Sequence, residues 1–403
     1  MARVALLCEG DAAGAKAFSG SAMGLLQSLR SSGHEVTTID VEPTGRARLG
    51  LAARTFAFHR PRWKMRYRLG KAAHASRSSI ASRSLRALAT PAEIVLQIGA
   101  TFELDHSVRV PYFVYCDWNL GLSIKNRENP HSSVHFASRE FANQAQARQS
   151  KLYRRVDRIF AISDRLRDSF LNDFGIREDR VVTVFGGPNY LGPGITPESI
   201  APPRAADKDW EHPTILFVGT GFERKGGFVL LRAFDQIRQE IPNARLVILG
   251  RDAPAEARTL AGVECHEFLQ KDVPSDLTRF VTLHRQANVF CLPGLLDPFP
   301  GAVREAMLYS LPCVVSDFWA LPEMVSDGET GYTAPAGDAS VLASRLLTLL
   351  KNPSLASSMG EAGRRRALNR FTWDSVVSRM NHEIDMIRDQ RRRCDARATS
   401  GVA

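Results

Sequence analysis

Long apolar runs are absent from this 403-residue chain. No stretch approaches the roughly 18 consecutive apolar residues that a membrane-crossing helix needs. The opening Met1-Ala-Arg-Val-Ala-Leu-Leu-Cys8 turns polar at Glu9, too early for the core of a signal peptide, and reads as a first buried strand. Cysteine is sparse: six residues, at 8, 116, 265, 291, 313 and 394, lie far apart with no C-x-x-C pair. A disulfide framework and a cysteine-based zinc site are therefore disfavoured, and a reducing, cytoplasmic compartment is expected. Gly and Pro, 29 and 21 residues, are too ordinary for a collagenous or low-complexity chain, and 44% hydrophobic content is too high for a disordered one. Acidic residues are missing from one place in particular. Between Glu42 and Glu93 there is no Asp or Glu, while twelve Lys or Arg accumulate, more than the whole chain's net charge of +10. Basic character confined to one region predicts an anionic partner there.

What is present is an alternation of short apolar runs with helical patterns. Strands are expected at 4–8, 35–39, 94–98, 112–116, 158–162 and 181–184, and again at 214–219, 245–250, 262–266, 289–292 and 313–316. Helical patterns fill 22–30, 164–173 with Ser163 as N-cap, 228–240 and 275–287, and the pattern is helical from 340 onward. Strands that are continuously apolar rather than alternating are buried on both faces, as in parallel sheets with helical crossovers. The class is α/β, doubly wound, with strands enough for two sheets. The Pro-rich stretch 191–213 reads as a linker, giving domains at 1–205 and 206–371 and a C-terminal segment, 372–403, returning to the first domain. The segment's basic end, Arg391-Arg-Arg, is expected to fray. Asp207-Lys208-Asp209 has the spacing of a metal–diphosphate ligand, but it lies in the linker, away from any strand end, and reads as solvated.

Two stretches carry chemistry. In Ile215-Leu-Phe-Val-Gly-Thr-Gly-Phe-Glu-Arg-Lys-Gly-Gly227 a buried strand runs into a Gly-rich turn, a basic pair and a helix start. Glycines such as Gly219 let backbone approach an anion, the helix N-terminus favours negative charge, and Arg224 and Lys225 add two full charges. The loop lacks the Gly-Lys-Ser/Thr ending of a P-loop, so a Walker-type ATPase is disfavoured. In Asp297-Pro-Phe-Pro-Gly-Ala-Val-Arg-Glu305 two carboxylates are separated by seven residues. With a helix beginning near Gly301, Glu305 lies one turn inside it and can accept hydrogen bonds from a ribose diol or sugar hydroxyls. Taken singly, the first stretch is also compatible with a plain βα turn and the second with helix-capping carboxylates.

The two in order, with Pro-x-Ala-x-Leu-x-Ile-x-Gly at 242–250, Glu-Ala-Met…Leu-Pro-Cys-Val-Val-Ser-Asp at 305–317, Pro322-Glu323 and Asp327-Gly-Glu-Thr-Gly331, resemble the C-terminal nucleotide-sugar half of the family 4 retaining glycosyltransferases. The resemblance is highly specific from about 214 to 373. In the N-terminal half it rests on the looser pieces Phe18-Ser-Gly-Ser-Ala-Met23 and Phe160-Ala-Ile-Ser-Asp164. It implies the GT-B fold, two Rossmann-like domains facing a cleft and closing over the donor. It also implies a nucleoside-diphosphate sugar, of UDP or GDP type, with no cofactor and no metal. Lys225 and Arg224 would hold the diphosphate, and Glu305 the ribose. Asp297 and the backbone after Phe299, at Gly301 and Ala302, would meet the sugar hydroxyls and phosphates, and Phe268–Leu269 would run along the nucleobase. Three places depart from the family pattern: Thr220 stands where Arg is common, Asp297 where Glu is usual, and Trp319-Ala320 where Gly-Gly is.

In the N-terminal half, Gly20 in the first βα turn could let the acceptor or the donor phosphate approach, or be an ordinary turn residue. Asp117, at the end of a strand, could orient an acceptor hydroxyl or serve as a cap. The basic segment (Arg46, Arg48, Arg54, Arg60, Arg62, Lys64, Arg66, Arg68, Lys71, Arg77, Arg83, Arg86) is interleaved with Leu49, Leu51, Phe56, Phe58, Trp63, Met65, Tyr67 and Leu69. That composition suits an anionic membrane surface on the cytoplasmic side, where a lipid-linked acceptor would reside. A solvated insertion and a surface for an anionic acceptor polymer are the alternatives. The acceptor class is a glycan, a lipid-linked sugar or a small-molecule hydroxyl. A nucleic-acid-binding protein and a catalytically silent scaffold are the rivals from other classes; no recognition motif for nucleic acid accompanies the basic block, and no nucleic-acid partner is expected.

Overall fold

The computed structural model describes residues 1–14 and 17–400. The chain divides into two compact units, Met1–Gly186 with Trp373 onward, and Gly187–Thr372.

The first unit is built on six parallel strands: β1 (Arg3–Cys8), β2 (Glu35–Asp40), β3 (Ile94–Ile98), β4 (Tyr112–Cys116), β5 (Arg158–Ala161) and β6 (Val181–Thr183), in the order β2-β1-β3-β4-β5-β6. The continuous apolar runs occupy the middle: β3 and β4 are buried at every residue, as helices on both faces require. β2, at the edge, alternates buried Val36 and Ile39 with exposed Glu35, Thr37 and Asp40. Between β1 and β2 runs α1 (Ser21–Ser31); between β2 and β3 run α2 (Gly45–Thr55), α3 (Arg60–Leu69) and α4 (Lys71–Arg86). α5 (Leu120–Lys125) and α6 (Arg139–Arg155) follow β4, and α7 (Asp164–Phe174) follows β5. Ser163 caps α7 as expected, its hydroxyl accepting from the Leu166 N–H.

The basic segment forms three helices, α2, α3 and α4. Leu69 joins a core cluster with Leu120, Val134 and Ala142. Arg77 is 2% exposed and pairs with Glu42 at 2.9 Å and Glu9 at 3.7 Å, so it is structural rather than part of a cationic surface.

The second unit repeats the plan with β7 (Thr214–Val218), β8 (Arg245–Leu249), β9 (Val263–His266), β10 (Val289–Leu292), β11 (Cys313–Ser316) and β12 (Gly331–Ala334), all parallel, in the order β12-β11-β10-β7-β8-β9. Its helices are α8 (Gly227–Glu240), α9 (Pro274–Gln286), α10 (Gly301–Leu308), α11 (Leu321–Met324), α12 (Ala339–Leu350) and α13 (Pro353–Arg370). β12 was not legible in the sequence: it is a four-residue edge strand with Tyr332 and Thr333 half-buried, and its Gly331 belongs to the Asp-Gly-Glu-Thr-Gly turn. In each sheet the winding reverses once, between β1 and β3 in the first and between β7 and β10 in the second. Such switch points open a crevice beyond the strand ends where α/β sheets bind ligands.

The stretch 191–213, expected to be a linker with the domain boundary after 205, belongs wholly to the second unit, which begins at residue 187. Its prolines and glycines lie along that unit rather than between bodies: Gly192 sits against Leu277, and the Ala201 carbonyl accepts from Arg285. Asp207 pairs with Arg204 at 2.9 Å, and Asp209 accepts the backbone N–H groups of Glu211 and His212, both being turn residues.

The chain returns to the first unit as α14 (Trp373–Ser400). A Cβ at Gly24 would lie 2.2 Å from the Trp373 indole nitrogen, so only glycine lets α1 and α14 meet there. Ser28 donates to Asp374 at 2.6 Å and Arg158 pairs with Glu383 at 2.9 Å. The basic end does not fray at Arg391, which binds both oxygens of Asp157 at 2.8 Å. Residues 401–403 of the expected C-terminal segment lie outside the described residues.

Candidate active site

The turn after β7 and the loop after β10 meet at the switch point of the second sheet, and both carry charge. Gly219 follows β7; a Cβ there would lie 2.1 Å from the Lys225 side chain, so the glycine makes the groove in which that lysine lies. Gly226, at φ +79°, turns the chain into α8 with its Cα against the Pro293 carbonyl, where a Cβ would come to 1.9 Å. Asp252, after β8, accepts the Gly221 N–H at 2.7 Å and pins the turn from the other side.

These constraints aim Lys225 at Asp297, Nζ to Oδ2 2.5 Å, with Arg224 at 3.3 Å from the same oxygen. Arg224 also donates to the Leu296 carbonyl at 2.8 Å. Lys225 and Asp297 are each 8% exposed. Burial alone raises a carboxyl's pKa, but the two cations outweigh it and hold Asp297 below its ordinary value. The three charges expected to serve one ligand are thus gathered, with Asp297 bridging the two cations.

Glu305 lies on α10, fully inside the protein at 2% exposure, and accepts from Lys271 Nζ at 2.9 Å. Lys271 follows β9 and sits 4.1 Å from the centre of the Phe280 ring. Sequence reasoning missed Lys271. Its only signal was a cation close behind a strand end, just after Phe268–Gln270. Arg304 was missed as well: 2% exposed, it donates to the Phe299 carbonyl at 3.0 Å and covers the Phe299 ring, holding the loop between the two carboxylates. Gly301 and Ala302 open α10, as expected, and neither α8 nor α10 has a side-chain cap at its start. Their first N–H groups face the same kind of task, since uncapped helix starts favour anions. Phe268 is an exposed ring with the Arg251 guanidinium 4.7 Å from its centre, and Leu269 is half-buried beside it.

The contacts form two groups, Arg224–Lys225–Asp297 and Lys271–Glu305, connected through the 297–305 segment. Gly20 and Asp117 lie in the first unit. Gly20, buried and left-handed at φ +84°, is the N-cap of α1. Asp117 is exposed just past β4, and its charge adds to burial in raising the Cys116 thiol's pKa. Among the described residues no group of His, Cys, Asp and Glu has the arrangement of a metal site.

Residues 203–366 match the glycosyl transferases group 1 family. The chain is 36% identical over 171 residues to a phosphatidyl-myo-inositol mannosyltransferase of Mycobacterium leprae, covering 41% of this chain and 45% of that one. It is 28% identical over 220 residues to a GDP-mannose-dependent alpha-(1-6)-phosphatidylinositol monomannoside mannosyltransferase of Mycolicibacterium smegmatis, covering 50% and 57%. The chain spans about half the length of the curated relatives it matches. Among solved structures, sucrose-phosphate synthase of Thermosynechococcus elongatus has a TM-score of 0.68 at 16% identity, covering 96% of this chain and all of that one.

Proposed function

We propose that this chain, which has the GT-B fold and whose residues 203–366 match the group 1 glycosyltransferases, moves a sugar from a nucleoside-diphosphate donor to a lipid-linked hydroxyl with retention of configuration. The observation that carries this reading is the pair of cations, Lys225 and Arg224, converging on Asp297 at the switch point between β7 and β10.

In this reading Lys225, Arg224 and the uncapped start of α8 take the diphosphate. The anomeric carbon–oxygen bond to the β-phosphate breaks as the bond to the acceptor oxygen forms on the same face. The acceptor's proton passes to the departing phosphate, and the two cations stabilise the charge that develops there. Preorganised groups of this kind are worth about 3–4 kcal/mol each in the transition state. Asp297, kept ionised by its partners, accepts from sugar hydroxyls, and Glu305 accepts from the ribose diol with Lys271 fixing its carboxylate. No metal is assigned a step. The names of the mycobacterial relatives put GDP-mannose first among donors and a phosphatidylinositol-type lipid first among acceptors.

A lipid acceptor agrees with the outer face of α2 and α3. Leu49, Phe56 and Phe58 are exposed, Phe58 at 98%, with Phe56 stacked edge-on against Phe58 and Trp63. Exposed Arg46, Arg48, Arg54, Arg60, Arg62 and Lys64 surround them. Apolar rings among cations suit insertion into an anionic bilayer surface. No described helix is long and apolar enough to cross a membrane.

The test is a thermal-shift panel of GDP, UDP and ADP with their sugars, followed by transfer of labelled mannose from GDP-mannose to phosphatidylinositol vesicles. A nucleotide that binds the folded state raises Tm by mass action. Failure of every nucleotide to raise Tm, with no transfer to any acceptor, overturns the reading.

A further inference from the structure

The loop after β8 in the second unit carries an arginine, Arg251, that neither the diphosphate residues nor the ribose residues named above engage. Backbone contacts fix it between the two. On one side Gly250 lies against the turn after β7, where a Cβ would come 2.0 Å from the Gly219 carbonyl, and Asp252 accepts the Gly221 N–H at 2.7 Å. On the other side the Gly250 N–H donates to the His266 carbonyl at 3.0 Å, at the end of β9. Phe268 follows two residues later, and three residues beyond it Lys271 meets Glu305 at 2.9 Å. Three residues span at most about 10 Å, so Phe268 stays close to the residue that touches the ribose carboxylate.

At that place an exposed aromatic ring carries an unengaged guanidinium. Phe268 is 47% exposed, and the Arg251 guanidinium lies 4.7 Å from its ring centre. Among the described residues no carboxylate or carbonyl accepts from Arg251. The carboxylates beside the end of β9 have other partners: Glu267 meets Arg258 at 2.7 Å, and Glu264 meets His266 at 2.8 Å. Attraction to the ring holds the guanidinium in place without using its N–H groups on a protein acceptor. A positioned fork of donors therefore stands at the open end of the crevice, within the same unit as Lys225 and Glu305.

We infer that Arg251 is a specificity-determining residue that reads the donor's nucleobase and selects guanine, with Phe268 as its positioning residue. On the glycosyltransferase reading, on which this rests, the ribose lies at Glu305 and the diphosphate at Lys225, and the base therefore meets the loops after β8 and β9. A guanidinium offers two parallel donors. Guanine answers them with O6 and N7, two acceptors side by side; adenine sets an amino donor beside its N7, and uracil has O4 alone on the corresponding edge. The same fork thus favours guanine and leaves one donor unmatched on either of the other bases.

The probes are GDP, UDP, inosine diphosphate and the 7-deaza analogue of GDP, titrated calorimetrically into the full chain. Wild type is expected to bind GDP and inosine diphosphate alike, since both carry O6 and N7, and to bind the 7-deaza analogue, which lacks one acceptor, about tenfold or more weakly. R251M is expected to weaken GDP by about ten- to a hundredfold, the range of one bidentate base contact, and to leave UDP unchanged. Its Tm should match wild type, because the substitution breaks no hydrogen bond. R251K keeps the charge without the fork and is expected to behave like R251M; full recovery of GDP affinity in R251K would mean that the charge alone acts, and overturns the assignment. F268A should lose part of the preference for GDP over UDP, and an unchanged ratio overturns the positioning role of Phe268. An equal fall for GDP and UDP in R251M, or equal wild-type affinity for GDP and its 7-deaza analogue, overturns the assignment of Arg251. In that case Lys225→Ala still weakens every nucleotide if the donor reading holds, so the two failures are told apart. Failure of wild type to bind any nucleotide overturns both.

Discussion

Around the switch point of the second sheet three cations meet carboxylates: Lys225 and Arg224 share Asp297, and Lys271 meets Glu305. Beyond the ends of β3 and β4 in the first sheet, Arg68, Arg148 and the Gln149 amide line a small recess; of the neighbouring carboxylates, Glu9 pairs with Arg77 and Glu103 with Lys151, while the second Glu103 oxygen is buried without a partner. Two sheets of the same design thus present different arrangements of charge beyond their strand ends. A balanced site holds its own groups in place and exchanges partners when a ligand enters.

The most severe way to break this contrast is to unbalance the second site. Lys225→Ala is expected to lower kcat by about a hundred- to a thousandfold, the effect of removing one preorganised charge from a transition state. It also leaves Asp297 buried with Arg224 alone. Breaking a buried pair from one side costs about 3–5 kcal/mol, so a drop in Tm should accompany the loss of activity. The double variant K225M/D297L, which removes the charge pair, should recover Tm without recovering turnover. Recovery of turnover would show that Lys225 served the fold alone.

A smaller effect is expected one turn into α10. Glu305→Gln keeps the shape of the side chain but loses the charge that Lys271 meets and that a ribose diol would use. Donor KM is expected to rise by about ten- to a hundredfold, the range of a hydrogen bond to a charged group, with kcat less affected. Lys271→Met should reproduce part of that rise if the lysine positions the carboxylate. A rise in KM for both, without a matching fall in kcat, separates nucleotide binding from chemistry.

The contrast between the sites also explains what could be read without a structure. Lys225, Asp297 and Glu305 were legible because each lies at a fixed offset from a strand end or a helix start, and a βα turn converts sequence offset into position. The strands were legible for a related reason: β3, β4 and β10 are buried at every residue, and their sequences are apolar except for Gln97 in β3. The first-unit recess was not legible. Its lining comes from α3, α4, β3, α5 and α6, so the residues that meet there are up to 81 positions apart in the chain, from Arg68 to Gln149. The same limit applies to Arg77, which by composition belongs to a cationic run but by packing is the ion-paired interior of α4.

The exposed rings and cations of α2, α3 and the loop between them test whether the first unit's excess charge meets a membrane. Replacing Phe58 by Ser is expected to weaken binding to phosphatidylserine vesicles by about tenfold or more, since burying one such ring contributes about 1.5–3 kcal/mol. Raising the salt should weaken what remains, because each cation near the surface contributes about 1 kcal/mol before screening. Equal recovery on neutral and anionic vesicles would show that the cations play no part in membrane binding.

The smallest expected effect concerns pH. Lys225 and Arg224 hold the Asp297 carboxyl below its ordinary 3.8 against the opposing effect of burial. A depressed pKa contributes stability that is fully present above the unfolded value and is lost as pH falls through the folded one. The Tm difference between wild type and Asp297→Asn should therefore stay constant from alkaline pH down to about pH 5, then narrow as the medium becomes more acid. A difference that already shrinks near neutrality would mean that the carboxyl titrates there, and that the cations expected to grip a diphosphate are not the ones that keep Asp297 ionised.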